Sequence, residues 1–474
     1  MKTLDFTRYL AISVAAAALS ACGGGSSPSA LSGSLSPRAE STNRSASGSP
    51  IQHVVIMIQE NRTFNDFFAT YPGADGTTTG QAIANPNCSP PIKAGPIPLK
   101  KSNLDVPADM NHSFGGYSTA WDAGKLDAFD TITYANGLPE CTAPYQYTDP
   151  SQIQPYWAMA QQYVLAEHMF TTQGSDSFTA HQDLIRGGTI VEPGHAIVDF
   201  PTCSGPKCVW GCDAPVGTHT SLITGGDQWH HYRGKGPFPC SNQFTSSYNT
   251  LRDLLDAKSV SWKYYVPPQN KVDGKLFNAF DVIYPVRSGP EWNTNIVIPQ
   301  TQIFSDITGG TLPAVSWVIP DAQYSDHPGY STDDGPSWVA SVVNAIGTSS
   351  YWNSSVIIVV WDDWGGFYDN VGDLNPKKYG YGGLGLRIPA LIVSPYARAG
   401  YISPTHYEFG SILKYIENNW SLGSLGTSDR RATSIVDCFN YAQTPIPFQK
   451  IASSRSKEYF IHKKPSYVPV DTDM

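Results

Sequence analysis

Residues 53–58, HVVIMI, decide the fold: they form a continuous apolar run that is followed at once by Gln59-Glu60-Asn61-Arg62. An apolar run of this length is typical of a strand buried on both faces of a parallel sheet. A second run, VIIVV at residues 356–360, continues into Trp361-Asp362-Asp363 and a pair of glycines. The sequence therefore predicts two buried strands that each end in oxygen-bearing side chains.

Further apolar runs alternate with helical patterns along the chain. Strands are predicted at residues 260–266, 314–319 and 388–393, and helices at 251–258 (LRDLLDAK), 338–346 (WVASVVNAI) and 410–420 (GSILKYIENNW). This alternation predicts an α/β fold with a mainly parallel sheet that helices cover on both faces. Residues 195–245 are rich in Gly, Pro, Cys and Trp, and we expect them to form an insertion or a cap.

The composition narrows the class of protein. The chain has 474 residues, with 31 Lys and Arg against 40 Asp and Glu, which gives a formal net charge of −9. This acidic balance argues against a nucleic-acid-binding protein, because such proteins need a basic face. It does not exclude an anionic substrate, since a bound metal ion supplies positive charge locally.

The N-terminal segment has the features of an export signal. The apolar run at residues 9–21 is too short for a membrane span, which needs about 20 residues. The run ends in LSACG, which resembles a bacterial lipoprotein cleavage box, so Cys22 is predicted to carry a lipid anchor. The alternative is an ordinary secretory signal cut nearby. We expect an exported, membrane-anchored lipoprotein that faces the periplasm or the cell surface.

These features divide the chain into four predicted segments. They are a signal peptide over 1–21, a flexible Gly/Ser/Pro tether over 22–50, a globular domain over 51–450 and an irregular tail over 451–474. The tether is too poor in apolar residues to bury a core.

The cysteines of an exported protein are expected to form disulfides. Seven follow Cys22, at positions 88, 141, 203, 208, 212, 240 and 438. We predict that Cys212 pairs with Cys240 and that Cys438 stays free. A zinc site at Cys203, Cys208 and Cys212 is the alternative, but the spacings match no common zinc pattern.

A metal site is predicted where the two strands end. In open α/β sheets ligands bind beyond the carboxyl ends of the strands. Glu60, Asn61, Asp362 and Asp363 would offer a hard divalent cation a carboxylate-rich set of ligands there. The alternative is that the two aspartates cap the following turn and that Glu60 pairs with Arg62.

Candidate catalytic groups lie in three other segments. Ser177 stands in QGSDSFTAH (residues 173–181), just before the helical pattern QDLIRGG, where a hydroxyl is either a nucleophile or simply a helix cap. His112 and His327, in DMNHS and SDHP, are able to donate to a phosphoryl oxygen or to protonate a leaving group. The alternative is that both are surface histidines. The weaker candidates are His230, His231 and His406.

Collinear motifs over residues 51–420 resemble the bacterial phosphoesterase family that contains acid phosphatases and phospholipases C. The motifs are HVVIMIQENRTFNDFF, WDAGKLDAF, GSDSFTAHQDLIRGG, PAVSWVIPD with SDHP, VIIVVWDDWGGFYDNV and GLGLRIPALIVSPYARAGYISPTHYEFGSILKYIE. The resemblance implies a three-layer, alkaline-phosphatase-like α/β/α sandwich with inserted loops. It also implies that residues 51–450 are a catalytic domain.

The resemblance also implies roles for single residues. It makes Glu60, Asn61, Asp362 and Asp363 metal ligands, Ser177 the nucleophile and a further ligand, and His112 and His327 histidines that line a phosphate pocket. The chain departs from members of the family in three places: Thr179-Ala180 stand where many members have Pro-Asn, Asp363 stands where many have Glu, and Glu291-Trp292-Asn293 stand where some have paired histidines.

The predicted function is a metal-dependent hydrolase of phosphoric esters with a serine nucleophile, resembling an acid phosphatase or a phospholipase C. The substrate would be a small phosphate ester or a phospholipid head group. Oxygen ligands favour Mg²⁺, Ca²⁺ or Mn²⁺ over Zn²⁺. A non-catalytic glycan-binding lipoprotein is the alternative that 12 Trp and 26 Tyr suggest. A glycosidase is a third option, although its two carboxylates must lie about 5–9.5 Å apart across the scissile bond, whereas Asp362 and Asp363 are adjacent.

Overall fold

The computed structural model describes residues 48–199, 201, 211–215, 218–224, 232–235, 240–268, 278–329 and 332–467. The strands are β1 His53–Gln59, β2 Thr79–Ala82, β3 Gly95–Pro98, β4 Lys100–Ser102, β5 Gln146–Thr148, β6 Val164–Ala166, β7 Met169–Phe170, β8 Ile190–Glu192, β9 His195–Ile197, β10 Ser221–Thr224, β11 Tyr232–Lys235, β12 Trp262–Tyr265, β13 Ile296–Val297, β14 Val315–Val318, β15 Ser355–Trp361, β16 Gly372–Asp373, β17 Leu384–Ile388, β18 Ala390–Val393, β19 Tyr401–Ser403 and β20 Tyr407–Glu408.

The helices connect these strands and cover them. They are α1 Phe64–Phe68, α2 Phe114–Trp121, α3 Gln154–Gln162, α4 Ser177–Arg186, α5 Leu251–Ala257, α6 Tyr284–Arg287, α7 Glu291–Thr294, α8 Gln302–Thr308, α9 Gly335–Gly347, α10 Pro376–Tyr379, α11 Phe409–Trp420 and α12 Lys457–His462. No helix in the described part of the chain is long and apolar enough to cross a membrane.

One sheet forms the centre of the molecule. Its strand order is β13-β12-β14-β1-β15-β18-β6-β19. Only the two pairings that involve β18 are antiparallel, so the expected mainly parallel sheet is confirmed. β1 and β15, the two strands that the sequence singled out, are neighbours and are fully buried.

Helices lie on both faces of this sheet, as a three-layer α/β/α sandwich requires. One layer contains α4, α5 and α11, and the other contains α3, α8, α9 and α12. On the α4 face, the indole of Trp317 in β14 donates to the Leu184 carbonyl at 3.2 Å. On the α3 face, the amide of Gln59 in β1 contacts the Tyr156 hydroxyl at 3.3 Å.

The apolar run at 388–393 differs from its prediction. It is not one strand, because Pro389 separates β17 from β18. Proline has no backbone N–H to donate to a sheet ladder, so it interrupts the run. β17 pairs with β7 in a smaller sheet, whereas β18 joins the central one.

The predicted pairing of Cys212 with Cys240 is confirmed, and Cys438 is free and buried. A second disulfide joins Cys88 to Cys141. The disulfide uses the Cys212 sulfur, so Cys212 is not a zinc ligand. Cys203 and Cys208 lie outside the described residues.

The described part of the predicted insertion at 195–245 contributes strands to a small antiparallel sheet of order β11-β10-β9-β8. The predicted tail contains the short helix α12, which packs against α9. The signal peptide with Cys22 and nearly all of the tether lie outside the described residues, and the four segment boundaries stay predictions.

Candidate functional site

The carboxyl ends of β1 and β15 bring the predicted ligands together. Gln59 pairs with Trp361 in the sheet, so Glu60 and Asp362 follow side by side. The backbone N–H of Asn61 donates to Asp362 Oδ1 at 2.9 Å. Asn61 has a left-handed φ of 58°, which ends the strand at this point.

The glycine after Trp364 makes this turn possible. A Cβ atom on Gly365 would lie 2.2 Å from the carbonyl oxygen of Asn61, and its φ is +58°. No other residue fits such a contact without a backbone shift. The turn lets Asp363 project into the same site as Asp362, although neighbours on a regular strand point to opposite faces.

Ser177 is the first residue of α4, and its side chain points at these ligands. Its Oγ donates to Asp363 Oδ2 at 2.7 Å and lies 3.2 Å from Asn61 Oδ1. The helix cap that was the alternative role for Ser177 is supplied by Asp176, whose side chain accepts from the N–H of Thr179. Ser177 therefore does not cap the helix.

His181 belongs to the same site, and the sequence analysis gave it no role. Its Nε2 lies 3.1 Å from Glu60 Oε1 and 3.7 Å from Asp362 Oδ2, and all three side chains are fully buried. His181 follows Ser177 by four residues on α4, so both lie on one face of the helix. That spacing is the signal from which the position of His181 beside Ser177 could have been predicted.

His112 and His327 meet at the amide of Asn61. Asn61 Nδ2 lies 2.8 Å from His112 Nε2 and 3.1 Å from His327 Nε2. Each Nδ1 lies 2.6 Å from a backbone carbonyl oxygen, of Met110 and of Pro328 respectively. A carbonyl only accepts, so both Nδ1 atoms carry hydrogen, and in the neutral rings both Nε2 atoms accept from Asn61. Both histidines are fully buried, so neither is a surface residue.

Acidic groups flank the His112 loop. Asp109 Oδ1 lies 3.8 Å from His112 Nδ1, and the Asp109 side chain is partly exposed. Glu140 is buried and accepts from the backbone N–H of Asn111 at 2.7 Å. Burial raises the pKa of Glu140 to about 8. The loop is also held by Trp364, whose indole donates to the His112 carbonyl at 3.0 Å.

The alternative contacts predicted for Glu60 and for the two aspartates occur only in part. Arg62 pairs with Asp66 at 2.9 Å, not with Glu60. Asp363 Oδ1 does accept from the N–H of Gly365 at 2.8 Å, as a turn cap would, but its Oδ2 accepts from Ser177.

His406 and Glu291 are not among the residues of this site. His406 stacks on Phe170 with ring centroids 4.2 Å apart. Glu291, which stands where some family members have paired histidines, forms an ion pair with Arg252. His230 and His231 lie outside the described residues.

The donor set fits a divalent cation. The carboxyl groups of Glu60, Asp362 and Asp363 are all fully buried, which is costly unless positive charge compensates them. Ligand atoms of Glu60, His181 and Asp362 lie within 4.8 Å of one another. Asp362 Oδ2 is buried and accepts no hydrogen bond within the described part of the chain. Oxygen ligands with one imidazole suit Mg²⁺, Mn²⁺, Ca²⁺ or Zn²⁺.

The model of the Phosphoesterase family matches residues 51–423, which is most of the chain and contains every residue of the site. The chain belongs to the Phosphoesterase family.

Its relatives in this family include bacterial phospholipases C. It is 23% identical over 447 residues to the non-hemolytic phospholipase C of Pseudomonas aeruginosa, covering 83% of this chain and 57% of the relative. It is 24% identical over 455 residues to phospholipase C B of Mycobacterium tuberculosis, covering 84% of this chain and 79% of the relative. The chain thus spans little more than half the length of the Pseudomonas relative.

Among solved structures, the fold is similar to a protein of the alkaline phosphatase superfamily from Vibrio parahaemolyticus. The TM-score is 0.34 at 11% identity, over 81% of this chain and 71% of that one.

Proposed function

We propose that this phosphoesterase is a metal-dependent hydrolase of phosphoric esters in which Ser177 is the nucleophile. One observation carries the proposal: the Ser177 hydroxyl lies 2.7 Å from a buried carboxylate of Asp363, beside the amide that contacts both His112 and His327. A hydroxyl needs a nearby base or a cation to attack phosphorus; Asp363 would be the base here, and the buried carboxylates of the site would hold the cation.

The ligands of the cation would be Glu60, Asn61, Asp362 and Asp363, together with Ser177 and, as an addition to the predicted set, His181. A divalent cation bound there supplies positive charge that polarises a phosphoryl oxygen and lowers the pKa of a nearby hydroxyl. The orientation of Asn61 supports the proposal. Its Nδ2 faces the histidines, and its Oδ1 faces the Ser177 hydroxyl.

The reaction would proceed in two steps at Ser177. Ser177 Oγ gives its proton to Asp363 Oδ2 and attacks phosphorus, which forms a phosphoserine and breaks the bond to the leaving oxygen. His112 and His327, once protonated at Nε2 and therefore no longer accepting from Asn61, would donate to phosphoryl oxygens, and one of them would give its own Nε2 proton to the leaving oxygen. Water then attacks the phosphoserine: the deprotonated histidine takes the proton of the water, Asp363 returns its proton to Ser177 Oγ as the serine–phosphorus bond breaks, and phosphate or a phosphorylated head group leaves.

Phosphate esters and phospholipid head groups are the substrates we propose, because the relatives named above are phospholipases C. The glycan-binding alternative rested on the aromatic content, but Trp317, Trp338, Trp361 and Trp364 are all fully or almost fully buried. Buried indoles stabilise the core and are not available to stack on a sugar.

Export is also part of the proposal. Two disulfides, Cys88–Cys141 and Cys212–Cys240, are typical of proteins outside the cytosol. We propose that a lipid on Cys22 anchors the protein to a membrane, with the catalytic domain over residues 51–450.

The test is hydrolysis of p-nitrophenyl phosphate and of p-nitrophenyl phosphorylcholine, each before and after treatment with EDTA. We expect turnover of at least one substrate, its loss in EDTA, and its return when Mg²⁺, Mn²⁺, Ca²⁺ or Zn²⁺ is added back singly. The ratio of the two rates separates a monoesterase from a phospholipase C. Full activity after exhaustive chelation would contradict metal dependence, and failure to cleave either ester would contradict the proposed function.

A further inference from the structure

The buried carboxylate of Asp326 lies next to the proposed site and forms hydrogen bonds with the segments that carry the site residues. Asp326 Oδ2 accepts from the Tyr156 hydroxyl at 2.7 Å, from the Gln59 amide at 3.2 Å and from the Trp361 indole at 3.2 Å. All four side chains are fully buried. Three donors on one oxygen make a strong, charge-assisted arrangement.

The sequence neighbours of these donors are the site residues. Gln59 precedes Glu60, Trp361 precedes Asp362, and Asp326 itself precedes His327. Side chains alternate between the faces of a strand, so Gln59 and Trp361 face α3 while Glu60 faces α4. The Asp326 carboxylate thus contacts the last residues of β1 and β15 on the α3 side of the sheet, and the residue after each of them belongs to the site.

Backbone contacts of the Asp326 segment strengthen this connection. Arg62, next to Asn61, donates to the Asp326 carbonyl from Nε at 2.9 Å and from Nη2 at 2.7 Å. The N–H of Glu60 donates to the Ser325 carbonyl at 2.7 Å. Asp326 has a left-handed φ of 73°, a conformation that Asp and Asn tolerate better than most residues.

Gly335 leaves the space that the carboxylate occupies. A Cβ atom on Gly335, the first residue of α9, would lie 1.9 Å from Asp326 Oδ1 and 3.2 Å from the Gln59 amide nitrogen. Gly335→Ala therefore displaces the carboxylate while it keeps every hydrogen-bonding group of the network.

We propose that Asp326 is a positioning residue: its carboxylate, bonded to Gln59, Tyr156 and Trp361, sets the relative positions of Glu60, Asp362 and His327. As a positioning residue it would act through these side chains and would not itself bind the cation or the substrate. This inference rests on the proposed function, because it assigns Asp326 a role in arranging the metal ligands and the phosphate-contacting histidine.

Asp326→Asn is the main test, with Gly335→Ala as the second variant. Asparagine tolerates the left-handed backbone but gives the three donors a neutral acceptor. We expect each variant to bind Mn²⁺ about tenfold or more weakly in titration calorimetry of the metal-stripped protein. We also expect kcat at saturating Mn²⁺ to fall about tenfold or more, with KM changed far less.

Asp306→Asn is the matched control for a merely structural effect. Asp306 is also a nearly buried carboxylate and accepts from the Tyr265 hydroxyl at 2.7 Å and the Lys263 ammonium at 2.6 Å. None of its side-chain hydrogen bonds in the described part of the chain joins it to a residue of the site. We expect this variant to lower the melting temperature but to keep wild-type Mn²⁺ affinity and kcat. Equal losses in Asp306→Asn and Asp326→Asn would overturn the inference.

A double-mutant cycle tests whether the donors act through the carboxylate. Tyr156→Phe removes one donor, and we expect it to lower kcat in the wild-type background but to change it little in Asp326→Asn. Additive effects would count against a shared role. Wild-type Mn²⁺ affinity and kcat in both Asp326→Asn and Gly335→Ala would overturn the inference outright.

Crystal structures separate this inference from the proposed function. If the wild-type protein neither binds metal nor cleaves a phosphate ester, the proposed function is wrong. The positions of Glu60, Asp362 and His327 in Asp326→Asn then decide the inference. Displaced side chains would support it, and unchanged positions would overturn it.

Discussion

Replacing Ser177 with alanine distinguishes a catalytic role of its hydroxyl from a role in the stability of the protein. The fully buried Oγ contacts Asp363 at 2.7 Å and Asn61 at 3.2 Å. Removal of a hydrogen bond to a charged group costs about 1.5–3 kcal/mol of stability. Asp176 remains to cap α4, and alanine favours a helix, so we expect the fold and the bound cation to persist.

The expected loss of activity is larger than this cost. A covalent mechanism has no substitute for its nucleophile, so we expect kcat to fall by about 10⁴-fold or more, which corresponds to about 5.4 kcal/mol or more of activation free energy. Single-turnover hydrolysis of p-nitrophenyl phosphate measures this loss, and Mn²⁺ titration with thermal unfolding measures metal binding and stability.

Ser175→Ala and Thr179→Ala are the controls, because these hydroxyls lie two residues to either side of Ser177. Both hydroxyl oxygens are buried without a hydrogen-bond partner in the described part of the chain, and we expect near wild-type rates from both variants. If Ser177→Ala stayed active while one control lost activity, the nucleophile would lie two residues away. If all three turned over substrate, the nucleophile would be water. A trapped phosphopeptide that contains Phe178, found by mass spectrometry, identifies the hydroxyl directly.

Four further outcomes are expected. Glu60→Gln and Asp363→Asn should each lose bound metal and activity together; full metal content by elemental analysis in either would remove that residue from the ligand set. His181→Gln should weaken Mn²⁺ binding in calorimetry, since it takes away a ring nitrogen 3.1 Å from Glu60. Burial raises the pKa of Asp183 to about 8, against about 4 in the unfolded chain, so the contribution of this carboxyl group to stability is largest below about pH 4 and falls as the pH rises to about 8. Asp183→Asn should flatten that fall by up to about 1.4 kcal/mol per pH unit in urea unfolding, and an unchanged slope would contradict the raised pKa. Cys22→Ser should release the protein from membranes in cell fractionation, and continued membrane association would argue against a lipid anchor.

The main elements of the fold were predictable because their patterns are local. The continuous apolar runs of β1 and β15 require burial on both faces, and the polar residues that follow them lie at one edge of a parallel sheet. The break at Pro389 was missed because apolar composition hid the missing backbone donor. The missing backbone N–H of Pro389, and not the hydrophobic pattern, separates β17 from β18.

The sequence by itself determined which residues were able to form the site. Glu60, Asn61, Asp362 and Asp363 follow two strands, and Ser177 begins a helix, so local pattern and the family resemblance together identified them. The excess of acidic over basic residues, read from the sequence alone, also argues against a nucleic-acid-binding protein.

Only the tertiary structure decided how these residues are held. His181 meets Glu60 across 121 positions of the chain, and Asp326 meets Gln59 across 267. Such contacts depend on strand order and on the face that each side chain takes, and no local pattern encodes either. The tautomers of His112 and His327 follow from backbone carbonyls close by in sequence, yet their convergence on Asn61 is long-range. Local propensity therefore supplied the groups, and the packing of distant segments gave them their geometry.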